Sequence, residues 1–511
     1  MKLIRNFRET MNPPVFLGSV AVIAAFVIYG AGFTEHAAVT FQSVQAFIVT
    51  NFGWLYILAV TAILIFVIFL AVSPFGRIRL GGEKARPEFK NLTWFAMLMA
   101  AGMGIGLVFF GVAEPIEHYL SPLEVDARSD AAVRDAMLYT YFHWGLHPWA
   151  IYISFALPLA YFHFRHGLPM APRSLLYPLI GDRIHGWIGH VVDILATVGT
   201  LFGVGTSLGL GAMQINAGLR EVAGVSIHLG VQLLIIAFIT GLATISVVTG
   251  LKVGIRRLSQ FNMSLAGVIL VFIVIFGPTL YILETFTTSL GYYLQNLFNI
   301  SFRVDQIAYG AWQADWTLFY WSWWIAWSPF VGIFTARISR GRTIRQFIVG
   351  MLLVPTIIGF FWFAAAGGTA LFVEHFGPGG IAGPTLEDEA LSLFAMLAHL
   401  PLTAITSALG ILLIVIFFVT SSDSGSFVDV MVTSGGHPNP PKTYRAFWCI
   451  TEGVVAATLL IAGGLAALRT ASLTPALPMV LFLLIACYGL LRALQVDAAT
   501  KGRPRKESLK G

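Results

Sequence analysis

The chain has 511 residues, of which 57% are hydrophobic and only 11% are charged, and its mean hydropathy is +0.79. Soluble domains carry roughly 25% charged residues, so this composition excludes a soluble globular protein and indicates a polytopic membrane protein. The formal net charge of +6 does not indicate nucleic-acid binding, because lysine and arginine are concentrated in alternate loops and in the tails. The two cysteines, Cys449 and Cys487, lie in apolar segments and favour neither a disulfide framework nor a metal site.

Apolar runs along the chain predict twelve transmembrane helices, most of them near or above the roughly 20 residues needed to cross a bilayer core. Two further segments, 287–300 and 386–399, are predicted to be external helices that do not span, serving as a lid or as a contact between subunits. The predicted spans are 15–33, 52–73, 92–113, 137–162, 190–218, 228–250, 260–284, 315–336, 347–373, 402–432, 446–467 and 477–491.

The positions of lysine and arginine test the predicted number of spans, because cytoplasmic loops carry an excess of these residues. The count of twelve places both termini in the cytoplasm and predicts an integral protein of the bacterial inner membrane. All but five of the 31 lysines and arginines fall on the cytoplasmic side, and the exceptions are Arg128, Arg134, Arg220, Arg303 and Arg469.

The third predicted span contains the stretch AAGMGIGLVFFGVAEP, with Gly102, Gly104 and Gly106 at alternate positions. Glycine in a helix interior costs up to about 1 kcal/mol, and close helix packing normally spaces glycines four residues apart. Alternate glycines therefore favour a local unwinding over a packing face. Non-helical backbone at membrane depth is tolerated only where it is buried in protein or lines a cavity, so this stretch is a candidate ligand or ion site.

Two spans are rich in aromatic residues. The fourth contains YFHWGLHPWAIY, in which Pro148 is expected to loosen the helix. The eighth contains YWSWWIAWSPFVGIF, with four tryptophans towards the middle of the span rather than at the interface where tryptophan usually anchors. Pro329 follows them and is predicted to break the helical hydrogen-bond ladder. Indole faces beside a broken helix are what a cage for a quaternary ammonium group requires.

The tenth span contains FFVTSSDSGS, in which Thr420 and Ser421 offer hard oxygen donors suited to Na⁺. The alternative is that these hydroxyls bond back to the preceding helical turn. Acidic residues inside a membrane are by default candidates for function, although interhelical hydrogen bonds are the competing interpretation. His143 and His147 leave a similar choice between proton transfer and a structural role. The acids concerned are Glu114, Asp193, Asp423 and Glu452.

These motifs resemble those of the betaine/carnitine/choline transporter (BCCT) family, and the resemblance covers nearly the whole chain. It implies an all-α fold of twelve transmembrane helices, with a LeuT-type five-plus-five inverted repeat preceded by two extra helices. Spans three and eight would be discontinuous, with the substrate at their midplane interface. The motifs that carry it are GMGIGLVFFGVAEPIEHY, HWGLHPWAIY, FGVGTSLGLGAMQINAGL, YWSWWIAWSPFVGIFTARISRGRTIRQF and VTSSDSGS.

The implied division of the chain begins with a cytoplasmic segment at 1–14 and the two leading helices at 15–91. The first repeat occupies 92–286, an external interfacial segment 287–314 and the second repeat 315–496. A basic cytoplasmic tail follows at 497–511. Membrane lipid surrounds the bundle, and family members are commonly homotrimers.

The resemblance also implies which residues bind substrate and ions. Backbone at Gly102, Gly104 and Gly106 would receive the substrate carboxylate, and Trp321 would belong to the access path. One wall of the aromatic box would be Trp144, Trp149 and Tyr152, and the other Trp323, Trp324 and Trp327. One sodium site would comprise Ala100, Met103, Phe417, Thr420 and Ser421.

A second family sodium site maps onto Thr200 and Phe330, but Val204 stands where the family has a threonine. The sequence therefore predicts either one sodium ion per substrate or a weak second site completed by Thr200, a backbone carbonyl or Thr206.

The resulting interpretation is a secondary active symporter that imports glycine betaine or a similar small onium zwitterion, with Na⁺ as coupling ion and no other cofactor. Gly106 stands where choline-type members carry aspartate, which favours a zwitterion. The absence of arginine near Asn262–Met263 favours sodium coupling over exchange. The alternative is a proton-coupled or exchange transporter of choline, carnitine or dimethylsulfoniopropionate. A channel or a non-transporting sensor is the rival from another class, and no pattern indicates an enzyme.

Overall fold

The computed structural model describes residues 7, 10–102, 104–249, 252–305, 311–437 and 440–500, with backbone alone described at 100, 101, 252–257 and 500. Helices account for most of these residues, and the part of the chain described contains no β-strand. The long helices are α1 Pro13–Gly32, α2 Thr34–Val72, α3 Asn91–Gly102, α4 Ile105–Leu120, α5 Asp130–Trp144, α6 Leu146–His166, α7 Trp187–Ala223, α8 Leu229–Thr249, α9 Lys252–Phe276, α10 Thr279–Ser301, α11 Phe319–Arg337, α12 Ile344–Leu371, α13 Thr403–Thr433, α14 Lys442–Ile461 and α15 Gly464–Thr500.

Short helical turns connect the long helices. They are Pro74–Arg77, Pro172–Leu176, Tyr177–Ile180, Gly181–His185, Ala311–Gln313, Ala314–Leu318, Phe372–Phe376, Ala382–Glu387, Glu389–Leu391 and Ser392–Leu397.

Within the described ranges, nine helices are long and apolar enough to cross a membrane. They are α1, α2, α7, α8, α9 from Leu258, α12 with its extension to Phe376, α13, α14 and α15 to Ala499. Each of the twelve predicted spans nevertheless overlaps helical backbone, although two of them have wrong limits. The seventh, 260–284, continues past the end of α9 into α10, and the eleventh, 446–467, continues past the end of α14 into α15. Of the three predicted spans that match none of these nine helices, two are divided by a break, and the third is α11, whose hydropathy is lowered by its tryptophans and serines. The all-helical membrane architecture is confirmed, whereas the exact count of twelve and the inverted repeat stay predictions.

The third span is interrupted where the alternate glycines predicted it. Helix α3 ends at Gly102 and α4 begins at Ile105, with Gly104 between them at φ −150° and ψ −144°. The predicted unwinding is therefore confirmed.

The fourth span has a break that the sequence did not predict. Helix α5 ends at Trp144 and α6 begins at Leu146, with Gly145 at φ −93° and ψ −131°. A β-carbon on Gly145 would lie 2.5 Å from the Tyr141 carbonyl oxygen and 2.8 Å from Cζ of Phe360, so no side chain fits there. The interruption thus lies at this glycine, not at Pro148.

The prediction that Pro329 breaks the eighth span was wrong, and with it the expectation that this span is discontinuous. Helix α11 continues from Phe319 to Arg337. Proline removes the amide that would bond to the carbonyl of Ile325, four residues earlier. The hydroxyl of Ser328 donates to that same carbonyl at 2.8 Å and replaces the missing bond. The irregular backbone of this span lies instead at its start, in the π-helical turn Ala314–Leu318.

The two predicted external helices differ from expectation in their limits. The first lies within α10, which begins at Thr279, eight residues earlier than predicted. The second, predicted at 386–399, is not one helix but is divided between Ala382–Glu387, Glu389–Leu391 and Ser392–Leu397. The division occurs because Asp388 is extended (φ −159°, ψ 120°) and its side chain accepts a hydrogen bond from the amide of Ala390.

Loops that the charge pattern assigns to the cytoplasm contact one another. The amide of Leu80 donates to the carbonyl of Arg342 at 2.8 Å, joining the α2–α3 loop to the α11–α12 loop. The Arg342 guanidinium donates to Oδ1 of Asn91, the first residue of α3, at 2.6 Å and lies 4.1 Å from the ring centroid of Trp94. Arg165, in the last turn of α6 and within a predicted cytoplasmic loop, donates to the carbonyl of Gly81 at 3.1 Å. These contacts place three of the predicted cytoplasmic loops at one end of the bundle.

Segments assigned to the opposite side also pair among themselves. Arg220, at the end of α7, lies 2.6 Å from a carboxylate oxygen of Glu387, and Arg303 lies 2.6 Å from one of Glu124. The hydrogen bond from Arg303 lowers the pKa of Glu124. Three of the five arginines outside the cytoplasmic set thus have acidic partners on their own side, the third pair being Arg469 with Glu389.

Candidate functional site

The broken third span packs directly against tryptophan rings of other helices. A β-carbon on Gly102 would lie 2.2 Å from Cη2 of Trp149. A β-carbon on Gly106 would lie 2.5 Å from Cη2 of Trp323 and 3.1 Å from Cη2 of Trp144. The ring edges therefore occupy the space that side chains would take. The glycines allow the backbone of α3 and α4 to approach the rings.

Helix α11 and the end of α5 form the centre of this aromatic cluster. The rings of Trp323 and Trp324 are stacked, with centroids 4.8 Å apart and planes 13° apart. Trp144 meets Trp324 edge to face at 4.9 Å and 71°. At most 5% of any of these side chains is exposed, so none is an interfacial anchor.

The remaining box residues extend the cluster on both sides. The Tyr152 ring lies 6.2 Å from that of Trp324, and the Trp149 ring lies 5.6 Å from that of Tyr152. On the other side, the Trp327 ring lies 6.1 Å from that of Trp323. The structure thus brings all six predicted box residues into one continuous, buried group.

Two polar groups in the cluster have no hydrogen-bond partner among the described residues. They are the hydroxyl of Tyr152 and the indole N–H of Trp327, and both are buried. Two neighbouring indoles are occupied, because Trp323 donates to the carbonyl of Gly203 at 3.2 Å and Trp324 donates to that of His143 at 3.1 Å. Buried donors are normally satisfied, so two free ones beside aromatic faces indicate a site that takes a polar ligand.

Glu114 holds the cluster in place from α4. Its Oε2 accepts from the indole N–H of Trp144 at 2.7 Å and from the hydroxyl of Tyr320 at 2.5 Å. Its Oε1 is hydrogen-bonded to His143 Nδ1 at 2.7 Å and to His118 Nε2 at 3.3 Å. The sequence marked Glu114 as an intramembrane acid but left its role open, and the structure assigns it to interhelical hydrogen bonds.

The ligating atoms of Glu114, His118 and His143 lie within 4.8 Å of one another, close enough to hold a metal ion. Both carboxylate oxygens are already engaged in two hydrogen bonds each, and His143 Nε2 also bonds to the hydroxyl of Thr317 at 2.9 Å. This geometry fits a hydrogen-bond network that orients Trp144 and Tyr320.

The other intramembrane acids have partners on neighbouring elements. Asp193 accepts from Arg173 at 2.6 Å, and Asp423 accepts from Arg445 at 2.9 Å. Glu452 accepts from the Ser422 hydroxyl at 2.7 Å. His147 lies next to Ser301 on α10, its Nε2 3.0 Å from the hydroxyl. Structural hydrogen bonds thus account for most of these groups.

The predicted first sodium site is brought together in part. Ser421 Oγ lies 3.8 Å from the β-carbon position of Gly104, beside the break. Thr420 donates to the carbonyls of Ile416 (2.9 Å) and Phe417 (3.2 Å), so its hydroxyl bonds back to its own helix. Met103 lies outside the described residues, and so does the side chain of Ala100.

The residues of the second predicted sodium site differ in what they offer. The hydroxyl of Thr200 is buried and has no partner within the described structure. Phe330 packs against Trp327, with ring centroids 5.4 Å apart. Thr206 is turned towards α15, where it donates to the carbonyl of Leu468 at 3.1 Å. Thr200 therefore offers a free oxygen, whereas that of Thr206 is engaged elsewhere.

Trp321 lies apart from the box tryptophans. Its ring stacks on His147 at 5.4 Å and meets Phe142 at 5.0 Å, and 1% of the residue is exposed. Its predicted place on an access path stays a prediction.

A cavity of about 370 Å³ lies between α3, α11, α13 and α14. The Asp423–Arg445 ion pair stands in its wall, and Arg337 and Arg445 both lie over the ring of Phe427, at 5.3 and 5.2 Å. Its lining also includes Met97 on α3 and Ile333 on α11, the helices that lead to the glycine break and to the tryptophans.

Broken membrane helices around a buried aromatic cluster, with a cavity alongside, define an integral membrane transporter. The chain belongs to the betaine/carnitine/choline transporter family, because the family model described as BCCT, betaine/carnitine/choline family transporter, matches residues 14–499. Family membership makes it a transporter and not an enzyme.

Several curated relatives are similar over most of their length. A glycine betaine transporter of Bacillus subtilis is 46% identical over 486 residues, covering 94% of this chain and 94% of the relative. A glycine betaine/proline/choline transporter of Vibrio parahaemolyticus is 43% identical, covering 94% and 89%. An uncharacterized transporter of Mycobacterium tuberculosis is 45% identical, covering 97% and 84%.

Proposed function

We propose that this protein imports glycine betaine, or a similarly compact zwitterion with a methylated onium group, by sodium symport with alternating access. The observation that carries the proposal is the buried aromatic cluster packed on the glycine break, with two free donors among its rings. Relatives whose printed names specify glycine betaine support the choice of substrate.

The cluster suits both charges of such a substrate. Aromatic faces attract the onium group by about 0.5–2 kcal/mol each, with the higher values where water is excluded. The free hydroxyl of Tyr152 and the free N–H of Trp327 are donors for the carboxylate, as is the unwound backbone at Gly104. Glu114, the carboxylate that contacts the cluster, already bonds to four protein groups, so it does not call for a substrate with a net positive charge.

Binding must move helices, because the box rings touch one another across α5, α6 and α11. An onium group between Trp144 and Trp324 requires these rings to part, which links occupancy to the relative position of the helices. The cavity is lined by Arg337 and Arg445 next to loops with the cytoplasmic charge pattern, and in this proposal it would serve as a route to the site. This arrangement is consistent with an inward-facing member of an alternating-access cycle and with cytoplasmic termini.

Sodium coupling is supported by the position of Ser421 at the helix break and by the free hydroxyl of Thr200. Sodium bound between α13 and the α3–α4 break would hold these elements together and favour the conformation that binds substrate. Trimeric assembly, which the family resemblance implies, belongs to the same proposal.

The decisive experiment measures uptake of radiolabelled glycine betaine, choline and carnitine into proteoliposomes, with and without an inward sodium gradient. We expect sodium-dependent uptake of betaine well above that of choline or carnitine, with unlabelled dimethylsulfoniopropionate competing. Uptake of choline or carnitine that exceeds betaine uptake would contradict the substrate assignment. Betaine uptake that is unaffected by sodium would contradict the coupling.

A further inference from the structure

We propose that the cavity between α3, α11, α13 and α14 is a second binding site for a compact onium zwitterion, with the carboxylate on Arg337 and the onium group against the ring of Phe427. The class of ligand rests on the proposed function. The site itself rests on the charge, lining and position of the cavity. None of the six box residues is among the residues that line it, so the two sites are separate.

Arg337 gives the cavity a positive charge that has no acidic partner. The lining contains one other basic residue, Arg445, which is bonded to the carboxylate of Asp423 at 2.9 Å. Glu88 lies 3.5 Å from Arg340, and both of these side chains are exposed. The guanidinium of Arg337 has no carboxylate partner among the described residues. Because a guanidinium presents a planar set of donors that matches a carboxylate, Arg337 is suited to an anionic group of a ligand.

Phe427 provides an aromatic face next to this charge. Its ring centroid lies 5.3 Å from the guanidinium of Arg337 and 5.2 Å from that of Arg445. A ring face that attracts guanidinium groups also attracts an onium group. A carboxylate that draws Arg337 away from the ring would free this face for the onium group of the same molecule. The lining also includes the apolar side chains of Phe89, Met97, Ile333, Phe334, Val428 and Met431.

Helix α13 connects the cavity to the helix break. Ser424 lines the cavity, and Ser421 lies three residues earlier, which makes the two serines neighbours on the helix surface. The hydroxyl of Ser421 lies 3.8 Å from the β-carbon position of Gly104. The cavity therefore begins about one helical turn from the break in the third span.

Helix α11 makes the same connection to the tryptophans. Ile333 lines the cavity three residues after Phe330, whose ring lies 5.4 Å from that of Trp327. Arg337, the last residue of this helix, is exposed beside loops with the cytoplasmic charge pattern. A substrate that leaves the box towards the cytoplasm would therefore meet this second site next.

The size and charge of the cavity distinguish a zwitterion from other ligands. Its volume of about 370 Å³ lies within the range of roughly 300–1,000 Å³ that is usual for small-molecule sites. A cation without a carboxylate, such as choline, would add positive charge beside Arg337. An inorganic anion would pair with Arg337 but leave the aromatic and apolar lining without a partner. A compact zwitterion with a methylated onium group matches both parts of the lining.

The site is tested by equilibrium dialysis of radiolabelled glycine betaine against the purified protein in lipid nanodiscs. We expect two betaine molecules per protein at saturation, bound with different affinities. Arg337→Gln should weaken one of these affinities about tenfold or more and leave the other unchanged, because it removes the charge that pairs with the carboxylate. One betaine per protein, or two whose affinities are the same in Arg337→Gln as in the wild type, would overturn the second site.

Two further variants control for charge and folding. Arg340→Gln removes an exposed arginine that is close in sequence but does not line the cavity, and it should bind betaine at both sites as the wild type does. Arg337→Lys keeps the positive charge but not the planar donors, so its affinity at the second site should lie between those of the wild type and Arg337→Gln. Equal weakening by Arg340→Gln and Arg337→Gln would show a general effect of surface charge and overturn the assignment to Arg337.

Competition tests the class of ligand at the Arg337-dependent site. Choline lacks the carboxylate, and the tert-butyl analogue of betaine, in which carbon replaces the onium nitrogen, lacks the positive charge. We expect each to displace betaine from this site only at concentrations about tenfold or more above that of betaine itself. Displacement by the tert-butyl analogue at the same concentration as betaine would show a site for carboxylates and overturn the proposed zwitterion site.

Trp324→Leu separates this inference from the proposed function. This variant should weaken betaine binding at the box and leave the Arg337-dependent affinity unchanged, because Trp324 does not line the cavity. Absence of any Trp324-dependent binding would contradict the proposed substrate site, whereas absence of Arg337-dependent binding would overturn the second site alone.

Discussion

The indole N–H of Trp144 donates a 2.7 Å hydrogen bond to Glu114, whose same oxygen accepts from the hydroxyl of Tyr320. Trp144 faces Trp324 at the centre of the aromatic cluster, and Tyr320 stacks on Trp324 at 5.9 Å and 19°. The Glu114 carboxylate on α4 therefore holds the rings of Trp144 and Tyr320, and both rings contact that of Trp324. This relationship makes Glu114 a positioning residue for the proposed substrate site.

Glu114→Gln should weaken betaine binding about tenfold while the protein remains folded. Hydrogen bonds to a charged group contribute about 1.5–3 kcal/mol each, and a neutral amide cannot accept from all four of its present partners. Binding is measured by isothermal calorimetry. Glu117→Gln makes the same change on the same helix, outside this network, and should bind normally. Equal affinities of the two variants would contradict the positioning role.

Trp324→Leu should weaken betaine binding by about 1–2 kcal/mol, or roughly 5–30-fold, because a leucine has no π-face for the onium group. Trp324→Phe should recover part of the loss. Calorimetry again gives the affinity, with the exposed Trp54→Leu as the matched change elsewhere. Unchanged affinity in the leucine variant would remove Trp324 from the site.

Gly106→Ala should lower the affinity for betaine and choline alike, because its β-carbon would stand 2.5 Å from the Trp323 ring. A separation below 3.0 Å forces the ring to shift, so the shape of the box changes whatever the substrate. Gly241→Ala is the control, since nothing lies within 4 Å of that position. Normal binding by the Gly106→Ala variant would show that the Trp323 ring can shift without any loss of substrate affinity.

Gly106→Asp adds charge to the same steric effect. A negative charge in a poorly screened site repels a carboxylate and attracts a cation, so betaine uptake should fall more than choline uptake. Uptake of both substrates is compared in proteoliposomes. Equal losses in a folded variant would mean that only the backbone shape matters.

Ser421→Ala should raise the sodium concentration needed for half-maximal uptake several-fold, because its hydroxyl lies beside the helix break. Thr420→Ala should have the smaller effect, since the Thr420 hydroxyl bonds back to α13. Sodium titrations of betaine uptake separate the two, with Thr451→Ala as a back-bonded control on α14. A larger effect of Thr420→Ala would restore it as the principal ligand.

The sequence predicted those parts of the fold that depend on local pattern. Apolar runs located helices at all twelve predicted spans, and the alternate glycines located the break beside Gly104. The break predicted at Pro329 does not occur, because the hydroxyl of Ser328 donates to the carbonyl that the proline leaves without a backbone partner. Gly145 escaped notice because its constraint comes partly from Phe360, more than 200 residues away in sequence.

The aromatic box was accessible from sequence because its residues occur in short, unusual motifs. The role of Glu114 was not, since its partners include Tyr320, which is 206 positions distant. The pairing of Glu452 with α13 likewise depends on how two helices face each other, which periodicity alone does not specify.

Arg342 fastens the loop that follows α11 to the beginning of α3, through Asn91 and the ring of Trp94. The half of the third span before the break is therefore attached to the loop that follows the tryptophan helix, whereas Glu114 holds the half after it to α5 and to Tyr320 on α11. Spin labels on α3 and α11 should keep a constant separation through the transport cycle, while the separation of α3 from α4 changes. Under the proposed alternating access, Gly104 would be the pivot through which a tilt of α11 changes the shape of the box.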